Sequence, residues 1–220
     1  MKKTIRTFSL LTLSCFALNV NLAFAGKPAA EPSTSCAVEP IVMVHGFLGS
    51  TSNFDSMESR LQADQPSCAL YKFGYNSIGD SNKTSAAKLS SFVDGALSST
   101  GQAKVRLIAH SNGGLVSRWY DVFERGSRKT SKLITMGTPH NGTSWAYGCF
   151  SPACFEMRPN SSFLQSLAGK GCDISLWSGT DEIILPNSSA QCGTSIQIKN
   201  SSHNGMLSDA DVFVDVKNNL

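Results

Sequence analysis

A single well-placed serine, four histidines and few acids frame the chemistry open to this sequence. Ala109-His110-Ser111-Asn112-Gly113-Gly114 stands where an apolar, β-branched run (105–109) meets a segment of helical spacing (about 112–124). A serine at a strand-to-helix junction sits on a sharp turn that brings neighbouring backbone close, so the positions two before and two after it must be small. Ala109 and Gly113 satisfy this, with Ala where Gly is more usual. A serine hydroxyl becomes a nucleophile when an imidazole takes its proton, and the imidazole needs a carboxylate to fix its tautomer and offset its charge.

With such a turn the partners follow in the order serine, acid, histidine. His45 and His110 precede Ser111, which leaves His140 and His203. The acids between Ser111 and His140 are Asp121 and Glu124, on the helix that starts at the serine, so His203, in the polar loop 201–205, is the expected base. Asp181 lies just past the apolar run 174–177 and is the expected acid; Glu182 beside it stays open as the alternative. Asp173 precedes that run, and Glu156 falls in the segment 138–170. His110 and His140 read as structural, because the triad is complete without them. The backbone N–H groups of Asn112, next after the serine, and Phe47, in the loop after the first strand, are the expected oxyanion donors.

These residues need a scaffold that brings 45–47, 111, 181 and 203 to one edge. The continuous apolar, β-branched run 41–44 reads as a strand buried on both faces, and 69–73, 105–109, 132–136, 174–177 and 195–199 read as the further strands. Apolar residues at helical spacing in 53–63, 84–97, 112–124 and 210–217 read as the helices between them. Strand and helix alternate, which predicts a mostly parallel sheet of about six strands with helices on both faces. Segment 138–170 shows no period and reads as a lid-like, substrate-binding loop, in which Trp145, Tyr147, Phe150, Phe155, Phe163 and Leu164 form an acyl-binding wall or else pack the segment itself.

The chain opens with Lys2, Lys3 and Arg6, runs apolar over 8–18 and reaches the small-x-small string Ala23-Phe24-Ala25. This is a signal peptide cleaved after Ala25, so residues 1–25 are a leader, 26–220 a single domain, and the destination the periplasm or the medium. Nineteen basic residues less those three leave sixteen, against sixteen acids, so the formal +3 falls to zero. No Lys/Arg cluster remains that could neutralise several phosphates, which excludes nucleic acid as an expected partner. Cys36, Cys68, Cys149, Cys154, Cys172 and Cys192 remain, an even number in an oxidising compartment, and read as disulfides. Spacing alone selects no pairing; Cys149–Cys154, Cys172–Cys192 and Cys36–Cys68 are the working set. No CxxC string with a matching histidine suggests a metal site.

Ile41-Val42-Met43-Val44-His45-Gly46-Phe47, the serine turn, Thr135-Met136-Gly137-Thr138-Pro139-His140-Asn141-Gly142 and the Asp181 and His203 loops resemble secreted bacterial triacylglycerol lipases and esterases of the α/β-hydrolase superfamily. The Ala-x-Ser-x-Gly string and short length are similar to the small Bacillus-type lipases, and Gly-Thr-Pro-His to the larger Pseudomonas and Burkholderia group. The resemblance implies a compact α/β-hydrolase, an ester or lipid substrate cleaved through an acyl-enzyme, and transient contact with a lipid interface. An acyltransferase or thioesterase with the same triad, or a non-catalytic binding protein on the same fold, are the alternatives. The larger relatives have a helical lid, a structural calcium ion and a folding chaperone; the shorter insertion here argues against the lid and the chaperone. No cofactor is expected, and Asp209 and Asp211 are the acids a calcium ion would use. The expected state is a monomer.

Overall fold

The computed structural model describes residues 38–220. The leader, its cleavage site after Ala25, and Cys36 lie outside them. The strands are β1 (Ile41–Val44), β2 (Leu70–Phe73), β3 (Val105–His110), β4 (Thr130–Met136), β5 (Ile174–Trp177) and β6 (Thr194–Gln197). They form one six-stranded sheet in the order β2-β1-β3-β4-β5-β6. Every neighbouring pair is parallel, so the sheet is wholly rather than mostly parallel.

The side-chain alternation of β1 divides the core in two. Ile41 and Met43 face one side with Ile108, Ile134 and Leu176, covered by Met57 and Leu61 of α1 (Asp55–Asp64) and by Val212 and Val216 of α6 (Ala210–Asn218). Val42 and Val44 face the other with Leu107, Ala109 and Leu133, covered by Leu89 and Val93 of α2 (Asn82–Thr100) and by Val116 and Tyr120 of α3 (Asn112–Phe123). A strand that must bury both faces reads as an unbroken apolar run, which is why 41–44 was legible, and 105–109 departs from it only at the half-buried Arg106.

Segment 138–170 is more ordered than the sequence suggests. It holds a 3-10 turn (Ser144–Gly148) and two short helices, α4 (Pro152–Met157) and α5 (Ser162–Leu167). Each helix has six residues, too few to display a period. Each is started by a serine cap, the Ser151 hydroxyl accepting from the Cys154 N–H at 3.3 Å and Ser161 from the Leu164 N–H at 3.2 Å. Met157, Phe163, Leu164 and Leu167 pack on Leu115 of α3 as a third apolar cluster. Cys149–Cys154 staples this segment and Cys172–Cys192 ties the turn before β5 to the turn before β6. The last strand is Thr194–Gln197 rather than 195–199, its pairing with β5 running from Ile174↔Thr194 to Trp177↔Gln197.

Candidate active site

Ser111 occupies the turn between β3 and α3 with φ 54° and ψ −130°, a left-handed backbone that a non-glycine residue adopts at a cost of about 1–3 kcal/mol. The surroundings hold it there. Its N–H donates to the Met136 carbonyl of β4 at 2.8 Å, and its carbonyl accepts from the Thr138 hydroxyl at 2.8 Å and the Gly114 N–H at 3.0 Å. The demand for small neighbours is visible in distances. A Cβ on Gly113 would stand 2.3 Å from the Val44 carbonyl oxygen and 2.4 Å from that of His45, and one on Gly46 would stand 2.7 Å from the Ser111 Cβ. The loop after β1 therefore lies against the serine.

Asp181 follows β5 and His203 follows β6, and the parallel sheet delivers both to the edge where β3 ends. His203 Nδ1 donates to Asp181 Oδ2 at 2.9 Å, both side chains being buried. Asp181 Oδ1 accepts from the N–H groups of Ile183 and Ile184, at 2.9 Å each. Burial pushes the Asp181 carboxyl up, but the His203 contact and those two amides outweigh it and hold the group below the ordinary carboxylate range. With Nδ1 committed to the acid, Nε2 is the ring nitrogen left to exchange a proton. Ser111 and His203 line one cavity of about 250 Å³, with His110, Gly46 and Phe47. The N–H groups of Phe47 and Asn112 donate to no backbone carbonyl in the loops, turns and caps among the described residues, and Asn112 stands at the first position of α3, where the helix offers its N–H no partner.

Asp181, and not Glu182, hydrogen-bonds the His203 ring. Glu182 Oε2 accepts from the His203 backbone N–H at 3.1 Å. His110 also holds the base, its Nε2 donating to the His203 carbonyl at 2.9 Å. This contact is a structural one, in keeping with the reading from sequence, and its partner carried no sequence signal beyond the place of His110 beside the serine. Burial and the neighbouring His203 push its imidazole down to about 3, so it is neutral and keeps the donor. His140 is structural as expected: Nδ1 accepts from Arg118 Nη1 at 3.2 Å, and Nε2 donates to the Thr135 hydroxyl at 3.0 Å, which in turn donates to the Ile174 carbonyl. His140 lies within ligand distance of the Cys172 and Cys192 sulfurs, but both are spent in a disulfide and neither is a thiolate. Asp209 caps α6, accepting from the Asp211 N–H at 2.8 Å, and Asp211 faces Lys199 at 3.6 Å.

The expected acyl wall needs correction. Of the six residues named for it, Trp145 alone lines the cavity. Phe163 and Leu164 pack the segment itself in the third cluster, and Tyr147, Phe150 and Phe155 are exposed. The wall is instead built from Phe47, Leu48, Trp145, Met157, Ile183 and Ile184.

A parallel sheet carrying a serine on a strained turn after β3, an acid after β5 and a histidine after β6 defines an α/β-hydrolase. Residues 40–180 match the palmitoyl protein thioesterase family, and the chain belongs to that family. It is 32% identical over 134 residues to a triacylglycerol lipase of Burkholderia plantarii and 32% identical over 114 residues to one of Pseudarthrobacter phenanthrenivorans. Those matches cover 57% and 49% of this chain but only 37% and 35% of the relatives, so the chain spans little more than a third of their length. A lipase of Bacillus licheniformis in mature form superposes with a TM-score of 0.71 at 16% identity, over 86% of this chain and 92% of that one. A metagenomic carboxyl esterase gives 0.62 at 15%, over 83% and 70%. The motif-based resemblance to bacterial lipases and esterases agrees with these relatives.

Proposed function

We propose that this protein is an exported serine hydrolase that cleaves carboxylic esters through an acyl-enzyme. The observation that carries the reading is the Asp181–His203 bond facing the same cavity as Ser111 on its strained turn. Ser111 Oγ attacks the ester carbonyl as His203 Nε2 takes its proton. Asp181 offsets the charge on the ring, and the N–H groups of Phe47 and Asn112 receive the developing oxyanion. His203 passes the proton to the departing alkoxide, and water attacks the acyl-enzyme by the same route to release the acid.

The disulfides suit an oxidising compartment, which supports export. Leu48 and Trp145 stand at the cavity mouth 64% and 39% exposed, with Tyr147, Phe150 and Phe155 nearby in sequence and also exposed, which supports brief contact with a lipid surface. The family match favours one second reading, a thioester substrate attacked by the same serine. Both are tested by following hydrolysis of paired esters and thioesters of one acyl group by the disulfide-bonded protein, beside Ser111→Ala. Ester turnover that vanishes in the variant is expected. A preference for the thioester selects the second reading, and no Ser111-dependent turnover of either overturns both.

A further inference from the structure

The apolar wall of the cavity is pinned on two sides. Met157 lines it and is itself buried, packed in one cluster with Leu115, Phe163 and Leu167. The Met157 carbonyl accepts from the Thr143 N–H at 3.0 Å, and the helix that carries Met157 is stapled by Cys149–Cys154. On the facing side Ile183 and Ile184 are tied through their N–H groups to Asp181 Oδ1, so that wall cannot retreat without disturbing the acid that orients His203. Phe47 and Trp145, edge to face with centroids 6.2 Å apart, complete the lining toward the mouth.

A wall held this way sets a volume. An apolar cavity of about 150 Å³ takes a six-carbon ring, or roughly 25 Å³ per carbon. On that scale the about 250 Å³ here houses an acyl segment of roughly ten carbons, including the space taken by the reacting carbonyl, and a longer chain has to leave through the mouth. A sixteen-carbon chain would need about 400 Å³. From this, and resting on the hydrolase reading above, we infer that the substrates are short- and medium-chain acyl esters, with Met157 and Ile183 setting the upper limit, despite membership of a family described by palmitoyl substrates.

The test is kcat/KM on p-nitrophenyl esters from acetate to palmitate for the disulfide-bonded protein, Met157→Ala and Ile183→Phe. The expected maximum lies between butyrate and decanoate, with at least a tenfold fall from the best substrate to palmitate. Met157→Ala removes three side-chain atoms, roughly 75 Å³, and moves the maximum longer by about two to three carbons. Ile183→Phe moves it shorter, and serves also as the variant that keeps the cluster around Met157 intact. A wild-type profile that climbs to palmitate, or a maximum that neither variant moves, overturns the chain-length limit while leaving the hydrolase reading in place. Absence of Ser111-dependent turnover across the whole series removes the reading and the limit together.

Discussion

His110 Nε2 donates a hydrogen bond to the backbone carbonyl of His203 at 2.9 Å, so the residue before Ser111 holds the residue proposed as its base. The other side of the His203 peptide is held by the residue after the acid, Glu182. The imidazole is thus oriented by three groups, Asp181 on its ring and two on its backbone, and both backbone grips come from sequence neighbours of the other triad members.

Removing the first grip leaves a buried carbonyl unpaired, a loss of about 1–3 kcal/mol, and lets the imidazole drift. His110→Ala is expected to lower kcat by roughly ten- to a hundredfold with little change in KM, because misplacing a catalytic group by about an ångström costs on that order. His110→Gln, which keeps an N–H donor of similar reach, is expected to recover part of the rate. Steady-state kinetics on one ester checks both, and equal loss in the two variants would mean the donor is not what matters.

Asp181 and Glu182 are adjacent and chemically alike, yet their geometry assigns them different work. Asp181→Asn leaves the shape and removes the charge that fixes the tautomer, and is expected to lower kcat/KM by about 10³- to 10⁴-fold. Glu182→Gln keeps an oxygen for the His203 N–H and is expected to stay within about threefold of wild type. Kinetics on the two variants side by side decides the assignment, and a reversed ranking would move the role of acid to Glu182.

That Asp181, His203 and Ser111 meet at one sheet edge was legible because the proposed chemistry restricts residue type and order and the alternating elements restrict place. The work of His110 and Glu182 was not, since each acts on the backbone of His203, 93 and 21 residues away, through contacts only the folded sheet creates. The acyl wall was misread for a related reason. Met157, Ile183 and Ile184 come from a six-residue helix and an irregular loop, where apolar side chains show no period to say which face points inward. The central strands β1 and β3, buried almost throughout, carried their own signal.

Two glycines separate close approach from mere flexibility. A Cβ at position 113 would meet backbone oxygens of β1 and the residue after it at 2.3 and 2.4 Å, atoms that cannot yield without moving the central sheet. Gly113→Ala is expected to destabilise the fold by at least about 2 kcal/mol and to abolish activity by displacing Ser111. Gly95, within the exposed face of α2, has nothing within 4 Å of its would-be Cβ. There Gly95→Ala removes unfolded-state freedom and is expected to stabilise by about 0.5–1 kcal/mol. Thermal or urea unfolding of the two proteins reads both changes.

The buried histidines also set how stability responds to acid. His110 goes from an ordinary 6.5 to about 3 in the fold, by burial and by the neighbouring His203. Burial lowers His45 as well, and burial with the Arg118 charge holds His140 well below its ordinary value. For each of them the unfolded chain binds a proton that the native protein does not, so stability rises with pH across the interval between the two values. The contribution of His110 is complete above pH 6.5 and is lost progressively as pH falls toward 3, amounting to a loss of about 2 kcal/mol at pH 5. Asp181, depressed in the fold, acts in the same direction but only below the ordinary carboxylate range near pH 4. Tm measured from pH 8 to pH 4 is therefore expected to fall steadily from about pH 6.5, well before carboxylates titrate, and His110→Gln is expected to flatten that slope even though it lowers Tm at pH 8. A wild-type Tm that stays level down to pH 4.5, or a slope unchanged in the variant, would show that His110 accepts a proton in the folded protein, and the donor it offers to His203 at 2.9 Å would then belong to a charged ring.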